Sequence, residues 1–446
     1  MKLKCLLQNR SWLPLLVGAA CVTHLGSASQ PAELPATSPP SPTNVVLTLD
    51  SALQLALASN PALRASGSRI DAAAGRAYQA KLWSNPDLEL SGEDWPTSGG
   101  GFTDAKKLVG MSQTFPFPGK KKLDGTIGRL GVRVSEAEYG LRRVELVREV
   151  KTAFFEVLAA ERLVEVAREL VGVAEASATT ARKRVQAGAA ADEEQLRAEI
   201  PVEQARTELA GFEREQEAAR QRLANALGRP DLHGAPVSGS LAETANLSLL
   251  ADGPERWLAR HPGVVAARAS KERAEAESRR ARLEPYPDVK LGAAGGQEAG
   301  GAGSIVQFTL SVPIPLIDRS KGRKQEAKAN VAGAEAELAA IEQRLLRDWG
   351  TFTQRLRTAA GQAATYRERI LPKANEALRL VQRGFEEGKF NFIDLLDTQR
   401  TTAEVRLAYQ QKLLELNVAQ TDLEALLARS PTQLRPAPAT QSQTKP

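Results

Sequence analysis

Residues 384–400 read GFEEGKFNFIDLLDTQR, and the punctuation of this stretch decides how the rest of the chain is read. Gly384 and Gly388 close a run with helical spacing, and glycine accepts the left-handed backbone at which helices stop. Asn391 then offers an N-cap for a new helix, with Asp394 three residues on, where a carboxylate meets the positive end of the helix dipole. Asp394 and Asp397 lie three apart and share one helical face. The stretch is the tip of a helical hairpin whose returning arm starts with two acids. Two readings of those acids stand side by side. Asp394 is a helix-start residue and Asp397 pairs with Arg400, or several chains meet here and the acids ring a pore.

Working outward, the first arm runs from about Lys321 to Glu387, with Val331, Ala334, Leu338, Ile341, Leu345 and Phe352 on one stripe, and the second from Phe392 to Ala428. The same pattern occurs about two hundred residues upstream. A helix from about Leu123 to Ala187 carries Val147, Val150, Phe154, Val157, Val164 and Val171, close to the 3.5-residue spacing of coiled coils. Gly188 breaks it, and Asp192 to Leu227 returns as an antiparallel partner. At 1.5 Å per residue the longer arm reaches about 100 Å. His261-Pro262 answers Asn60-Pro61 and Tyr286-Pro287-Asp288 answers Asn85-Pro86-Asp87, both at an offset of 201; Ile314-Pro315 answers Phe115-Pro116 at 199, and Gly388 answers Gly188 at 200. So steady an offset marks an internal duplication.

Each half also holds a stretch with period two. Leu88 and Leu90 alternate with Asp87, Glu89 and Ser91, and a second run, Lys107 to Phe115, follows the loop Ser98-Gly99-Gly100-Gly101. In the second half Val289, Leu291 and Ala293 alternate with Lys290 and Gly292, and Val306, Phe308, Leu310 and Val312 with Gln307, Thr309 and Ser311. These are β-hairpins with glycine-rich tips. The expected organisation is a signal segment over 1–28, a disordered linker over 29–46, a first repeat over 47–232 with its β-hairpin at about 87–115 and helical tip near 188, a second repeat over 233–428 with its β-hairpin at about 288–312 and tip near 388, and a disordered tail over 429–446.

Composition narrows the function. The net charge of +6 arises from 59 basic and 53 acidic residues interleaved along helices, a solvated surface rather than a basic block with stacking aromatics, so nucleic acid is not an expected partner. Lys2, Lys4 and Arg10 before the apolar run Trp12 to Val22 read as an export signal with Gly26-Ser27-Ala28 as a small-residue cleavage site. Ala19-Ala20-Cys21 also resembles a lipoprotein box, although Gly18 stands where that pattern prefers leucine; Cys21 is a candidate lipidation site. Both cysteines, Cys5 and Cys21, lie in this segment, and His233 and His261 stand alone downstream, so neither a disulfide, a dedicated metal site nor a cofactor is expected. No nucleophile, base and metal converge as an enzyme requires. No later run approaches the ~18 apolar residues of a membrane-spanning helix, so any passage through a membrane is by strands. Four strands cannot close a barrel, and several chains must share one.

The order of elements, the duplication, NPDLEL (85–90), FPFPGKKK (115–122) and LPKANEALRLVQRGFEEGKFNFIDLLDTQR (371–400) together resemble the TolC-like outer membrane efflux family over about Leu47 to Ala428. The segments around Asn85-Pro86-Asp87 and Gly119-Lys120-Lys121 are most similar to its heavy-metal branch, which exports cobalt, zinc, cadmium and copper. The resemblance implies an α plus membrane-β fold: a trimeric twelve-stranded barrel, four strands per chain, continued by an antiparallel coiled-coil tunnel through the periplasm. It implies a passive exit duct in the outer membrane lipid, a homotrimer served by a periplasmic adaptor and an inner-membrane pump of the resistance-nodulation-division type. Ile393-Asp394-Leu395-Leu396-Asp397 matches the family's gate segment, so Asp394 and Asp397 inherit the periplasmic gate. Gly188, Gly384, Phe385, Gly388 and Phe390 mark the tips that would dock the adaptor. Related members carry a tyrosine and an arginine where this chain has Phe385 and Phe390, which counts against a polar latch there; the first repeat has Glu194 and Arg197 in place of the paired acids. Pro201 and Pro372 interrupt helices near the tips, at a cost of about 3 kcal/mol in a helix interior, as fixed kinks or as hinges for opening. The alternatives are a duct for drugs or for type I protein secretion, and a periplasmic coiled-coil adaptor. Apolar faces on all four strands would favour a barrel over the adaptor.

Overall fold

Proline and glycine set the frame of the molecule. The computed structural model describes residues 46–94, 105–189, 191–251, 253–301 and 303–428; the expected signal segment, Cys21, the linker before residue 46, the Ser98–Gly101 loop and the tail lie outside them. The first half runs α1 (Leu49–Ser59), α2 (Pro61–Gln79), β1 (Asp87–Glu93), β2 (Lys106–Phe115), α3 (Lys120–Gln186) and α4 (Asp192–Leu227). A connection of short helical turns, among them α5 (Pro254–Trp257), leads to the second half: α6 (Pro262–Arg282), β3 (Val289–Gln297), β4 (Ser304–Ser311), α7 (Lys321–Thr365), α8 (Leu371–Glu386) and α9 (Phe392–Leu426).

The helix pairs begin alike. Asn60 caps α2 by accepting from the amides of Ala62 and Leu63, while Pro61 fills the first helical position, where no amide hydrogen is needed. Its Nδ2 donates to the carbonyl of Ala226 at 3.0 Å, tying α2 to the end of α4. His261 plays the capping part for α6: its Nδ1 accepts from the Gly263 amide at 3.1 Å, ahead of Pro262. An imidazole can accept only when that nitrogen carries no proton, and burial holds the His261 pKa below the ordinary value.

The long helix α3 packs along α2, α4, α6 and α9. Its buried Leu146, Val150, Phe154 and Val157 meet Leu53 and Leu63 from α1 and α2 and Leu223 and Leu227 from α4, each large side chain contributing about 1.5–3 kcal/mol when removed from water. A second core gathers Leu345 and Leu356 of α7 with Leu413, Leu416 and Leu423 of α9, closed by Leu249, Trp257 and Val264. Trp257 and Leu249 come from the connection between the halves, whose part in the core no periodicity announced. Leu47 bridges to that connection as well, donating to Pro236 at 2.8 Å and accepting from Ser238 at 2.9 Å.

Where the sequence predicts one helix from Lys321 to Glu387, the structure has two. A π-helical turn, Tyr366–Ile370, separates α7 from α8, and Pro372 sits in the first turn of α8. Proline cannot donate to the carbonyl a turn earlier and its ring crowds that carbonyl, so the backbone widens just before it. Pro201, by contrast, lies inside an uninterrupted α4.

The four strands form one antiparallel sheet in the order β1-β2-β3-β4. Its register places Leu88, Met111, Ala293 and Phe308 in one row and Leu90, Val109, Gly295 and Val306 in the next, all on the same face. The larger of these side chains stand exposed, Phe308 at 82%. The opposite face carries Asp87, Glu89, Ser112, Lys290 and Thr309, with Lys290 2.8 Å from Glu89 and Ser112 donating to Glu89 at 2.7 Å. For a water-soluble protein this is the wrong way round, a sheet whose apolar face is left bare. Among the described residues β1 and β4 each keep one edge unpaired.

Candidate functional site at the helical tips

The two hairpin tips end in the same backbone motif. After α3, Gly188 at φ +69° donates to Val185 and Ala189 donates to Arg184; after α8, Gly388 at φ +73° donates to Phe385 and Lys389 to Gly384. This crossed pair of bonds satisfies the last carbonyls of a helix and requires a left-handed residue between them, which glycine supplies without a steric penalty.

Beyond the glycines the tips differ. Asn391 and Asp394 form a reciprocal capping box: the Asp394 amide donates to Asn391 Oδ1 at 2.8 Å and the Asn391 amide donates to Asp394 Oδ2 at 3.2 Å. Asp394 therefore serves the start of α9 whatever else it does. Asp397, one turn on, is exposed, and among the described residues no ion pair reaches it. The expected bridge to Arg400 does not form, because Arg400 pairs with Glu404 at 3.0 Å. On the first tip the corresponding charges are neutralised locally: Arg197 pairs with Glu193, and Glu194 lies 3.5 Å from Arg184. At these matched positions it is thus the second tip whose acids have no ion pair among the described residues.

A small apolar cluster joins the two hairpins. Phe392 of α9 is buried among Ala174, Ala178 and Ala181 of α3 and Ala198 and Val202 of α4, with Phe385 and Leu396 packed against it. Phe385 stands 5.9 Å from Phe392, ring to ring, and the Arg184 guanidinium lies over the Phe385 ring, 5.6 Å from its centre, where a cation meets the ring's negative face. Phe385, expected among the docking residues, packs partly buried against the cluster shared with the first hairpin. Phe390 instead lies across Gly384, where a Cβ would collide with its ring, and remains 43% exposed. The tips expose further large apolar side chains: Ile393 on α9, named in the sequence only as part of the gate segment, and Leu196 and Ile200 on α4 and Leu380 on α8, which the sequence reading did not single out. Their signal was available as apolar residues off the buried stripe. Among the described residues no group of three or more His, Cys, Asp or Glu gathers as a metal site, and no helix is long and apolar enough to cross a membrane.

A sheet built to face an apolar medium at one end, and acid-bearing coiled-coil tips at the other, define a membrane-anchored helical conduit component. The family model for outer membrane efflux proteins matches residues 52–229 and 253–429, and the chain belongs to that family. It is an outer-membrane efflux channel with a helical extension into the periplasm. Among curated proteins it is similar to the cobalt-zinc-cadmium resistance protein CzcC of Cupriavidus metallidurans, 29% identical over 390 residues that cover 86% of this chain and 90% of that one. It is also similar to the nickel-cobalt-cadmium resistance protein NccC of Alcaligenes xylosoxydans xylosoxydans, 26% identical over 65% of each chain. Among solved structures, a membrane protein from Pseudomonas aeruginosa superposes with a TM-score of 0.74 at 23% identity, covering 85% of this chain and 93% of that one, and shares its fold.

Proposed function

We propose that three copies of this chain close a twelve-stranded barrel in the outer membrane, continued by a coiled-coil tunnel, and that the assembly is the passive exit duct of a tripartite pump for divalent transition-metal cations. The observation that carries the reading is the sheet. Its exposed face is apolar on all four strands, its other face is polar, and both edges are open. In lipid, unpaired backbone groups cost several kcal/mol each, so such a sheet must be closed by further copies. The choice of cargo rests on the resistance proteins CzcC and NccC, whose names specify metals, and on a pore that needs no binding site: acids facing a lumen raise the local cation concentration by their field alone.

In this reading Asp397 is the gate acid, and Asp394 adds its charge while capping α9. Leu196, Ile200, Phe390 and Ile393 form the apolar part of the surface offered to a periplasmic adaptor, beside the tip glycines Gly188, Gly384 and Gly388. Phe385 works from behind that surface, holding the two tips together. The π-turn before Pro372 is the place where the second hairpin can bend; Pro201 is a fixed feature of a continuous helix. The adaptor in turn connects to an inner-membrane pump, and the duct itself performs no chemistry.

The test is a deletion strain challenged with zinc, cobalt, cadmium and nickel, and in parallel with drugs and detergents, together with fractionation of the tagged protein. Hypersensitivity to the metals, restored by the wild-type chain, and heat-resistant trimers in the outer-membrane fraction are expected. Sensitivity confined to drugs would reassign the cargo, and recovery only as soluble periplasmic protein would remove the barrel.

A further inference from the structure

The chain contains its own template for the contact between copies. Within one chain the two halves meet along a seam where β2 pairs with β3 and α3 packs against α6. At the corner of that seam Lys120, the first residue of α3, is covered: its Nζ lies 2.8 Å from Asp288 Oδ1 and donates to the Tyr286 carbonyl at 2.8 Å. The Phe117 amide donates to the same carboxylate oxygen at 2.7 Å, and the Phe117 ring stacks on Tyr286 at 4.7 Å. Gly119, which turns the chain into α3, has φ +94°.

The lysine, the acid, the carbonyl and the left-handed turn of this corner recur at the offset of 201, at the two ends of the sheet that lack a neighbour among the described residues; the ring stack does not, since Asp318 and Asn85 stand at its positions. Ser320, also left-handed at φ +54°, turns the chain into α7, and Lys321 is its first residue. Asp87 opens β1 as Asp288 precedes β3, and the Asn85 carbonyl stands where that of Tyr286 does. The recurrence holds although the second corner is two residues longer between its proline and the helix start, Pro315 to Ser320 against Pro116 to Gly119. Yet Lys321 is exposed and has no acidic partner among the described residues, and Asp87 is 64% exposed with only Lys290 near it, at 3.5 Å. Large apolar side chains stay exposed in the segments that lead into and out of this unfinished seam: Tyr78, Leu82 and Trp83 ahead of β1, Trp83 edge-on to Phe115 at 5.6 Å, and Leu316 and Ile317 after β4, the last at 99%. The chain buries its lysine and covers its corner where a neighbouring half is present, and leaves both open where none is.

We propose that the missing neighbour is a second copy of this chain, with β4 of one copy adding to β1 of the next and Lys321 of the first pairing with Asp87 of the second beneath the Asn85 carbonyl. This clamp rests on the trimeric reading above and adds to it the residues that set the register between chains. Each trimer would then carry two kinds of corner, Lys120 to Asp288 within chains and Lys321 to Asp87 between them, alternating around the ring.

A carbodiimide, which activates a carboxylate for attack by an amine in contact and leaves as a urea, tests the pairing in purified trimers assembled from mixed light- and heavy-isotope chains. The oligomeric state is read separately by native mass. The expected result is an Asp87 to Lys321 amide joining light to heavy peptides, absent in an Asp87→Asn trimer. A trimer in which Asp87 is joined only to Lys290 of its own chain, or to no lysine, overturns the clamp and leaves the trimer standing. A protein that stays monomeric overturns both.

Discussion

Replacing Phe392 with alanine is expected to uncouple the two helical tips without disturbing the rest of the chain. The ring is 5% exposed and is surrounded by alanines and one valine, with Phe385 and Leu396 alongside. Small neighbours of this kind have no rotamers with which to fill a void, so the site cannot collapse around the deletion. Truncating a buried phenylalanine costs about 3–5 kcal/mol, the upper part of that range applying where the cavity persists. The cluster is far from both main cores, and the loss should therefore appear as local opening. At 1.4 kcal/mol per factor of ten, amide exchange over residues 174–202 and 384–400 should accelerate by about 10²- to 4 × 10³-fold. Hydrogen exchange with mass spectrometry reads this segment by segment, and the strands and the Leu146 to Phe154 region serve as internal references. Phe390→Ala removes a half-exposed ring and should accelerate exchange by about tenfold or less. If Phe392→Ala leaves the tips within threefold of wild type, the cluster does not hold the hairpins together and the account of Phe385 as an inward brace fails with it.

The two tip acids should separate by readout: Asp394→Ala loses half of a capping box and about 1 kcal/mol of local stability, whereas Asp397→Ala should leave melting unchanged and reduce the cation preference of channels in planar bilayers; a melting loss at Asp397 with no change in selectivity would favour a purely structural role. His261 caps α6 in its neutral form and burial lowers its pKa, so its contribution is complete above the unfolded value of about 6.5 and is lost as pH falls from there toward the folded pKa. Thermal unfolding from pH 7.5 to 5.5 should drop more for the wild type than for His261→Asn, which copies the cap at Asn60; equal slopes would contradict the assignment. On the sheet, Phe308→Arg should cost about 2–4 kcal/mol at mid-membrane and deplete heat-resistant trimers from the outer membrane, while Gln307→Arg on the opposite face should be tolerated; the reverse order would mean that the faces have been exchanged.

What the sequence disclosed and what it withheld follow from the range of the forces involved. The tip turns were legible because glycine after a helix, and asparagine before one with an acid three residues later, act within a single turn of chain. The proline pairs at Asn60 and His261 were legible for the same reason. The inward turn of Phe385 was not, because its direction is decided by the alanine-lined face of another hairpin two hundred residues away. Nor was the freedom of Asp397: an arginine three residues on invites a bridge, and only the structure shows Arg400 taken by Glu404. Pro372 located an irregularity without revealing its form, since proline excludes one hydrogen bond and leaves the chain to choose how to route around it. The connection that supplies Leu249 and Trp257 to the second core has neither of the regular periods, so no pattern marked it.

The π-turn at Tyr366–Ile370 sets the phase of the second tip. Ahead of it the buried stripe of α7, Leu345, Thr353, Leu356, Ala359 and Ala363, answers Leu146, Phe154, Val157, Ala160 and Val164 of α3 at an offset of 199, whereas beyond it Gly388 answers Gly188 at 200. The second arm thus carries one extra residue, and a wide turn takes up one residue without advancing the spiral. The duplicated arms stay in phase with their cores although their lengths differ. Deleting one residue near Tyr366 should therefore restore a plain α-helix and leave the tip where it is, whereas inserting one would turn the acid-bearing tip by about 100° while changing no side chain on it.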